Sequence, residues 1–134
     1  MEGCPAEHRN LIQEAASARE NAYAPYSGFK VGAALEVAGK QKIIYRGANI
    51  ENASLGLTLC AERVALFAAV SQGERHFSRL AVVSAGSTPP YPCGACLQVI
   101  KELASKLQIL CYSLEGELQS YHLEEFLPYP FEGW

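Results

Sequence analysis

Three thiols and a carboxylate stand at short, fixed spacings in this chain: Cys60-Ala61-Glu62-Arg63 and, 33 positions after Cys60, Pro92-Cys93-Gly94-Ala95-Cys96. Thiolates so spaced can hold one Zn2+ by three protein ligands and leave its fourth position open to water, whereas a structural zinc takes four protein ligands. A glutamate beside such a metal, itself not a ligand, can move the water's protons, and Glu62 is the residue placed to do it. Three thiolates leave the centre with one net negative charge, which makes a bound water a poorer acid than neutral histidine ligands would. Something must draw charge off the sulfurs, and Arg63 is the candidate to donate to one or two of them.

Plainer readings exist for each residue. Cys93-Gly94-Ala95-Cys96 at a helix start also suits a redox dithiol, but that chemistry follows a strand near the N-terminus and has no use for Cys60-Ala61-Glu62. A structural zinc needs a fourth ligand, and His8, His76, His122, Cys4 and Cys111 are each isolated in sequence. His76 and His122 read as surface or loop residues, Cys111 as a small apolar residue in a strand, and Cys4 as part of a frayed terminus. Arg63 alone would be an ordinary solvated helix residue, and Asn49 and Glu51 alone would be turn polarity.

The elements that must position these groups follow from periodicity. Glu7 to Ala22 is apolar at helical spacing, and Ala24-Pro25-Tyr26-Ser27-Gly28 breaks it. Val31 to Val37 and Lys42 to Asn49 read as strands joined by the hairpin signal Ala38-Gly39-Lys40-Gln41. Ser54 to Leu59 is a loop, with Thr58 the expected N-cap of a helix from about Cys60 to Ser71 and Gly73 its stop. Leu80 to Ala85 is a continuous apolar run suited to a central strand. Gly86 to Tyr91 is a loop delivering Pro92 and Cys93 to a helix that runs to about Lys106. Leu107 to Leu114 and Leu118 to His122 are strands turned by Glu115-Gly116-Glu117, then a short helix spans Leu123 to Leu127. The order predicts an α/β fold: a three-layer α/β/α arrangement with a five-stranded mixed sheet whose last two strands are antiparallel. Cys93 and Cys96 would share one side of a first helical turn, and thiolates are favoured at helix N-termini. Cys60 and Glu62, two apart, would diverge in mid-helix; they converge only on a metal lying beyond the helix end.

At 134 residues, 49% hydrophobic and 19% charged, the chain has the size and composition of one globular domain, 1–134. A net charge of −3 with no Lys/Arg cluster argues against a nucleic-acid partner. Met1-Glu2-Gly3-Cys4 shows no apolar leader, and the apolar run Val64 to Val70 is too short for a bilayer, so no membrane association is expected. Five cysteines without a leader point to metal or chemistry ahead of disulfides, and to a cytoplasmic location.

Cys60-x-Glu62 followed by Pro92-Cys93-x-x-Cys96 is an established signature of zinc deaminases. The chain from about Leu11 to Phe131 resembles the small, homotetrameric cytidine deaminases in Ala24-Pro25-Tyr26-Ser27-Gly28-Phe29-Lys30-Val31-Gly32-Ala33, Gly47-Ala48-Asn49-Ile50-Glu51-Asn52-Ala53 and Leu127-Pro128-Tyr129-Pro130-Phe131. The resemblance implies one zinc per chain on Cys60, Cys93 and Cys96, with Glu62 as proton shuttle. It implies that Asn49 and Glu51 bond the ribose, chiefly its 3′-hydroxyl, that Phe29 packs on the nucleoside, and that the Ala61 amide meets the pyrimidine O2. Phe131 would reach a neighbouring subunit's site. Leu97 stands where the family usually carries arginine, which would remove an ion pair at the surface or an interface. Leu55 stands where many members carry tyrosine, which would weaken a contact on the 5′ side.

The expected activity is hydrolytic deamination of cytidine and 2′-deoxycytidine. The rivals are a deaminase of another cytosine-containing compound, such as a blasticidin-type antibiotic, and a non-catalytic zinc-stabilised module. The aromatic tail Phe126 to Trp134 suggests an oligomer, with a tail folded onto its own domain as the plainer reading.

Overall fold

A computed structural model describes residues 3–134, so Met1 and Glu2 of the expected leaderless start lie outside the described residues. The elements are α1 (Ala6–Arg19), β1 (Val31–Val37), β2 (Lys40–Ala48), α2 (Ala61–Ser71), β3 (Phe77–Ser84), α3 (Gly94–Leu103), β4 (Gln108–Ser113), β5 (Leu118–His122) and α4 (Leu123–Phe126). The five strands form one sheet in the order β2-β1-β3-β4-β5. Only β3 and β4 run parallel; β1 pairs antiparallel with both β2 and β3, and β4 with β5. The expected mixed sheet with an antiparallel last pair is what forms, and α3 is the crossover that the parallel pair requires.

Strand alternation divides the interior into two layers. Ala33, Leu35 and Val37 of β1, Leu80 and Val82 of β3, and Ile109 and Cys111 of β4 face α2 and α3, where Ala65, Leu66, Leu97 and Ile100 meet them. The intervening Ala34, Ala81, Val83, Leu110 and Tyr112 face α1 through Leu11, Ile12 and Ala15. Two glycines set how closely helix meets sheet. A Cβ on Gly32 would lie 2.0 Å from the Ala15 carbonyl oxygen, and one on Gly47 would lie 2.5 Å from both the Ala61 oxygen and the Ala65 nitrogen. Gly47 therefore lets the first turn of α2 sit directly on β2.

Several boundaries differ from those the pattern suggests. Helix α1 stops at Arg19 because Tyr23 leaves to bridge Ile50, its amide donating to Asn49 O at 2.9 Å. The β1–β2 turn is Ala38-Gly39 alone, with Gly39 at φ +72°, so β2 begins at Lys40. Strand β3 begins at Phe77, three residues before Leu80, because Glu36 of β1 and Arg79 form a part-buried fork: Arg79 Nε donates to Oε1 at 2.8 Å and Nη2 to Oε2 at 2.6 Å. That pair lets a charged residue occupy a strand interior, and Arg79 Nη1 reaches on to His8 Nδ1 of α1 at 2.9 Å. Helix α3 ends at Leu103, short of Lys106, as Ala104 turns toward β4. Gly73, at φ +98°, does end α2: its amide donates to Val70 O and that of Glu74 to Ala69 O, closing the last turn. Cys4 is buried against α1 and not frayed, and Leu97 is 8% exposed, within the α2–α3 layer and not at the surface.

Candidate metal centre and nucleoside pocket

Both cysteine motifs open a helix, and in both the cysteine itself is the cap. Cys60, with φ −73° and ψ 155°, is the extended N-cap of α2; Cys93, with φ −73° and ψ 169°, is that of α3. Thr58, the expected cap, instead accepts the Asn52 amide on its hydroxyl at 3.1 Å. Because Cys60 lies outside the helix, its sulfur and the Glu62 carboxylate escape the mid-helix divergence. The Cys93 sulfur accepts the Cys96 amide at 3.5 Å, an N-cap bond made by sulfur in place of oxygen.

The three sulfurs lie within 4.8 Å of one another, with Cys60 and Cys93 at 3.7 Å. Two thiolates each about 2.3 Å from a tetrahedral zinc are about 3.8 Å apart, so the set fits one zinc held by three ligands. Arg63 Nη2 stands 3.6 Å from Cys60 Sγ and 3.5 Å from the Thr58 carbonyl, aiming positive charge at the sulfur-rich centre. The Cys96 thiol, followed by Arg63 and Cys93, holds Cys60 well below the usual thiol range, while Cys60 as neighbour and burial push Cys96 up. One thiolate is therefore favoured before metal arrives, and further protons leave on binding. Glu62 is 4% exposed, and burial, with the Cys60 charge adding, pushes it up to about 7.

Cys60, Glu62 and Cys93 line a pocket of about 300 Å³, walled by Phe29, Val31, Val82, Pro90 and Tyr91 and reaching Asn49 and Glu51, while Cys96, fully buried, and Arg63 lie behind its lining. The pocket thus gathers Phe29, Asn49, Glu51, Cys60, Ala61, Glu62 and Cys93 from four separate stretches of chain. Phe131 is not among its lining residues: it is 58% exposed, its carbonyl accepts from Gln98 Nε2 of α3 at 3.1 Å, and its ring meets Trp134 edge-on. Glu132 also pairs with Lys101 at 3.3 Å, so the tail folds back along its own α3. Leu55 is exposed on the 3-10 turn Leu55–Leu57.

The profile described as the cytidine and deoxycytidylate deaminase zinc-binding region matches residues 5–111. The chain belongs to the cytidine deaminase family. A relative from Halalkalibacterium halodurans named cytidine deaminase is 51% identical over 90% of this chain and 91% of its own length. Among solved structures, the cytidine deaminase of Burkholderia pseudomallei superposes with a TM-score of 0.88 at 45% identity, covering 92% of this chain and 98% of that one. The cytidine deaminase of Mycobacterium tuberculosis does so at 0.80 and 35% identity, covering 96% and 100%. Within this deaminase chain, sequence reasoning missed Ser27, Thr58, Pro90 and Tyr91 as lining residues. Tyr91 had a signal in Pro89-Pro90-Tyr91-Pro92, a stiff segment that presents one aromatic beside Cys93. Its ring sits 5.9 Å from both Tyr121 and Phe126, which back it from β5 and α4.

Proposed function

We propose that this chain hydrolyses cytidine and 2′-deoxycytidine to uridine and 2′-deoxyuridine with release of ammonia, a step of pyrimidine salvage. The single observation that carries the reading is the buried Glu62 beside three convergent thiols, at the floor of a pocket whose outer end offers Asn49 and Glu51. Cys60, Cys93 and Cys96 would hold a zinc ion, which would supply the Lewis acidity that makes an attacking water acidic enough near neutral pH. Glu62 would take one proton from the water as its oxygen bonds to C4 and pass it to N3, then take the proton left on that oxygen and deliver it to the amine as the C4–N bond breaks. Burial raises the Glu62 carboxyl from its usual range, and one group that accepts and then returns protons is what two proton movements require. Ala61 sits at the first position of α2, where its amide is free for a pyrimidine oxygen.

Asn49 and Glu51 are already engaged with their own chain. Val31 N donates to Asn49 Oδ1 at 2.8 Å, and Asn49 Nδ2 donates to Phe29 O at 2.8 Å, which fixes the orientation of the amide. Glu51 Oε1 accepts from Tyr26 N at 2.9 Å and Ser27 N at 3.1 Å, and Oε2 accepts from Ser27 Oγ. That leaves one N–H and one lone pair on Asn49, and one acceptor direction on Glu51 Oε2. A sugar hydroxyl is the complement: it accepts from Asn49 Nδ2 and donates to Glu51 Oε2.

No described helix is long and apolar enough to cross a membrane. The proposal extends to residues 1–134 acting as one catalytic domain in the cytoplasm, as a homotetramer in which Phe131 enters a neighbour's site. Exposure of Tyr129, Phe131 and Trp134 supports an interface there. The names of the relatives do not favour the antibiotic deaminase or the non-catalytic module. Incubating purified protein with cytidine, deoxycytidine, cytosine, CMP and blasticidin S, with base absorbance as readout, tests the reading: turnover of the two nucleosides supports it, and their inertness defeats it.

A further inference from the structure

Residues 25–30 are all exposed, with Tyr26 and Phe29 each about half covered, so apolar packing does little to fix them. They nevertheless carry Ser27 and Phe29 to the pocket wall. Hydrogen bonds hold them: the Gly28 amide closes a turn on Ala24 O at 2.9 Å, Arg19 Nε donates to Lys30 O at 3.0 Å, and the remaining bonds run to Asn49 and Glu51. Ser27 occupies the centre of that network. Its amide donates to Glu51 Oε1 at 3.1 Å, its hydroxyl donates to Glu51 Oε2, and the same hydroxyl accepts the Phe29 amide at 3.0 Å.

Oε1 has both its acceptor directions occupied, so anything that Glu51 offers a ligand comes from Oε2. The Ser27 hydroxyl takes one of the two directions on Oε2 and thereby selects the other. We propose that Ser27 is a positioning residue that acts through Glu51: its hydroxyl aims the one free acceptor of the carboxylate at the nucleoside sugar, and ties that aim to the turn bearing Phe29. Its hydroxyl also holds the Glu51 carboxyl below the usual range, keeping it an acceptor and not a donor. Without that hydroxyl, Oε1 remains anchored but Oε2 gains a second free direction that water fills, and Phe29 N loses its partner. Discrimination for a correctly placed sugar hydroxyl then falls. Ser27 bonds to Glu51 and the Phe29 amide and not to Glu62 or the thiols, so the chemical step should be spared.

The inference rests on the nucleoside reading above, and its test separates the two. Ser27→Ala and Ser27→Thr are compared with wild type for kcat and KM on cytidine, for KM or inhibition constant with the 3′-deoxy analogue, and for zinc content. Ser27→Ala should raise KM for cytidine about tenfold, the size of one hydrogen bond to a charged group, with kcat within about twofold and zinc unchanged. It should leave the constant for the 3′-deoxy analogue near its wild-type value, and Ser27→Thr, which keeps the hydroxyl, should recover most of the cytidine KM. An unchanged KM overturns the proposal. So does an equal penalty on cytidine and its 3′-deoxy analogue, which would reduce Ser27 to a prop for the turn, and so does a joint loss of kcat and zinc. A wild-type protein inert toward cytidine fails the nucleoside reading itself, and the proposal with it.

Discussion

Adding one methyl group at Gly47 should damage the site from outside it. A Cβ there would stand 2.5 Å from the Ala61 oxygen and from the Ala65 nitrogen, and 3.1 Å from Ala65 Cα, all backbone atoms of the first turns of α2. Ordinary contact begins near 3.4 Å, so Gly47→Ala must push that turn off β2 by about 0.9 Å. Overpacking of this kind costs about 1–3 kcal/mol, and about 2 kcal/mol lowers the Tm of a domain this size by roughly 6–10 °C. The turn that moves follows Cys60 and contains Glu62. A displacement near 1 Å at a reacting group costs about 10²-fold in rate, so kcat/KM should fall about a hundredfold while the fold survives. Gly32→Ala is the comparison: its Cβ would meet the Ala15 oxygen at 2.0 Å and Arg19 N at 2.5 Å, so strain falls on α1, which contributes no pocket residue and reaches the Phe29 segment only indirectly, through the Arg19 bond to Lys30 O. Thermal melts with steady-state kinetics on the folded fraction decide it. Gly47→Ala with wild-type kcat/KM despite a lowered Tm, or equal activity losses in both variants, would refute the reasoning.

Glu62→Gln should retain fold and zinc but lose at least about 10²–10⁴-fold in kcat, as expected for a general acid–base group; retention of a tenth of the wild-type rate reassigns the shuttle. Arg63→Gln leaves the charge on the sulfurs uncompensated, and should weaken zinc retention or activity about 10–100-fold and move the pH–rate profile upward; superimposable profiles and zinc affinities would make Arg63 a bystander. Arg79 holds the Glu36 carboxyl below its usual range, so that pair contributes stability present above the unfolded carboxylate pKa and lost as pH falls through the lower folded value. Wild-type stability should therefore fall more steeply below about pH 4.3 than that of Glu36→Gln, which is destabilised near neutrality; parallel acid-unfolding curves contradict this.

Much of the fold was legible because alternation and turn chemistry act locally. Val31 to Val37 and Leu118 to His122 are strands at the bounds their patterns suggest, and Gly116 turns β4 into β5 as a short connection must. The start of β3 was hidden because Arg79 looks wrong for a strand interior until Glu36, 43 residues away, is seen to neutralise it. The cap of α2 was misplaced for a chemical reason: a hydroxyl is the usual cap, and here the chain ends the helix at Cys60 and turns Thr58 toward Asn52. The thiols and Glu62 stood out because metal chemistry restricts residue type and spacing together. The bonds from Asn49 and Glu51 to Tyr26, Ser27, Phe29 and Val31 span 18 to 25 residues and use backbone groups on the far side, which leave no mark in a sequence.

Cys60 and Cys93 are the ends of a 33-residue loop, yet the sulfurs already lie 3.7 Å apart through the packing of α2 and α3 on one face of the sheet. Closing a loop of that length costs about 4 kcal/mol in chain entropy, and here the folding of the protein absorbs it, leaving the ion nothing to gather. An ion in such a site behaves as a strain gauge on the two helices. Loosening of α2 against α3 that is too slight to disturb the circular dichroism spectrum moves part of that closure cost back onto the metal. At about 1.4 kcal/mol per decade, the dissociation rate of zinc into a chromogenic chelator would report a shift that spectroscopy of the backbone misses.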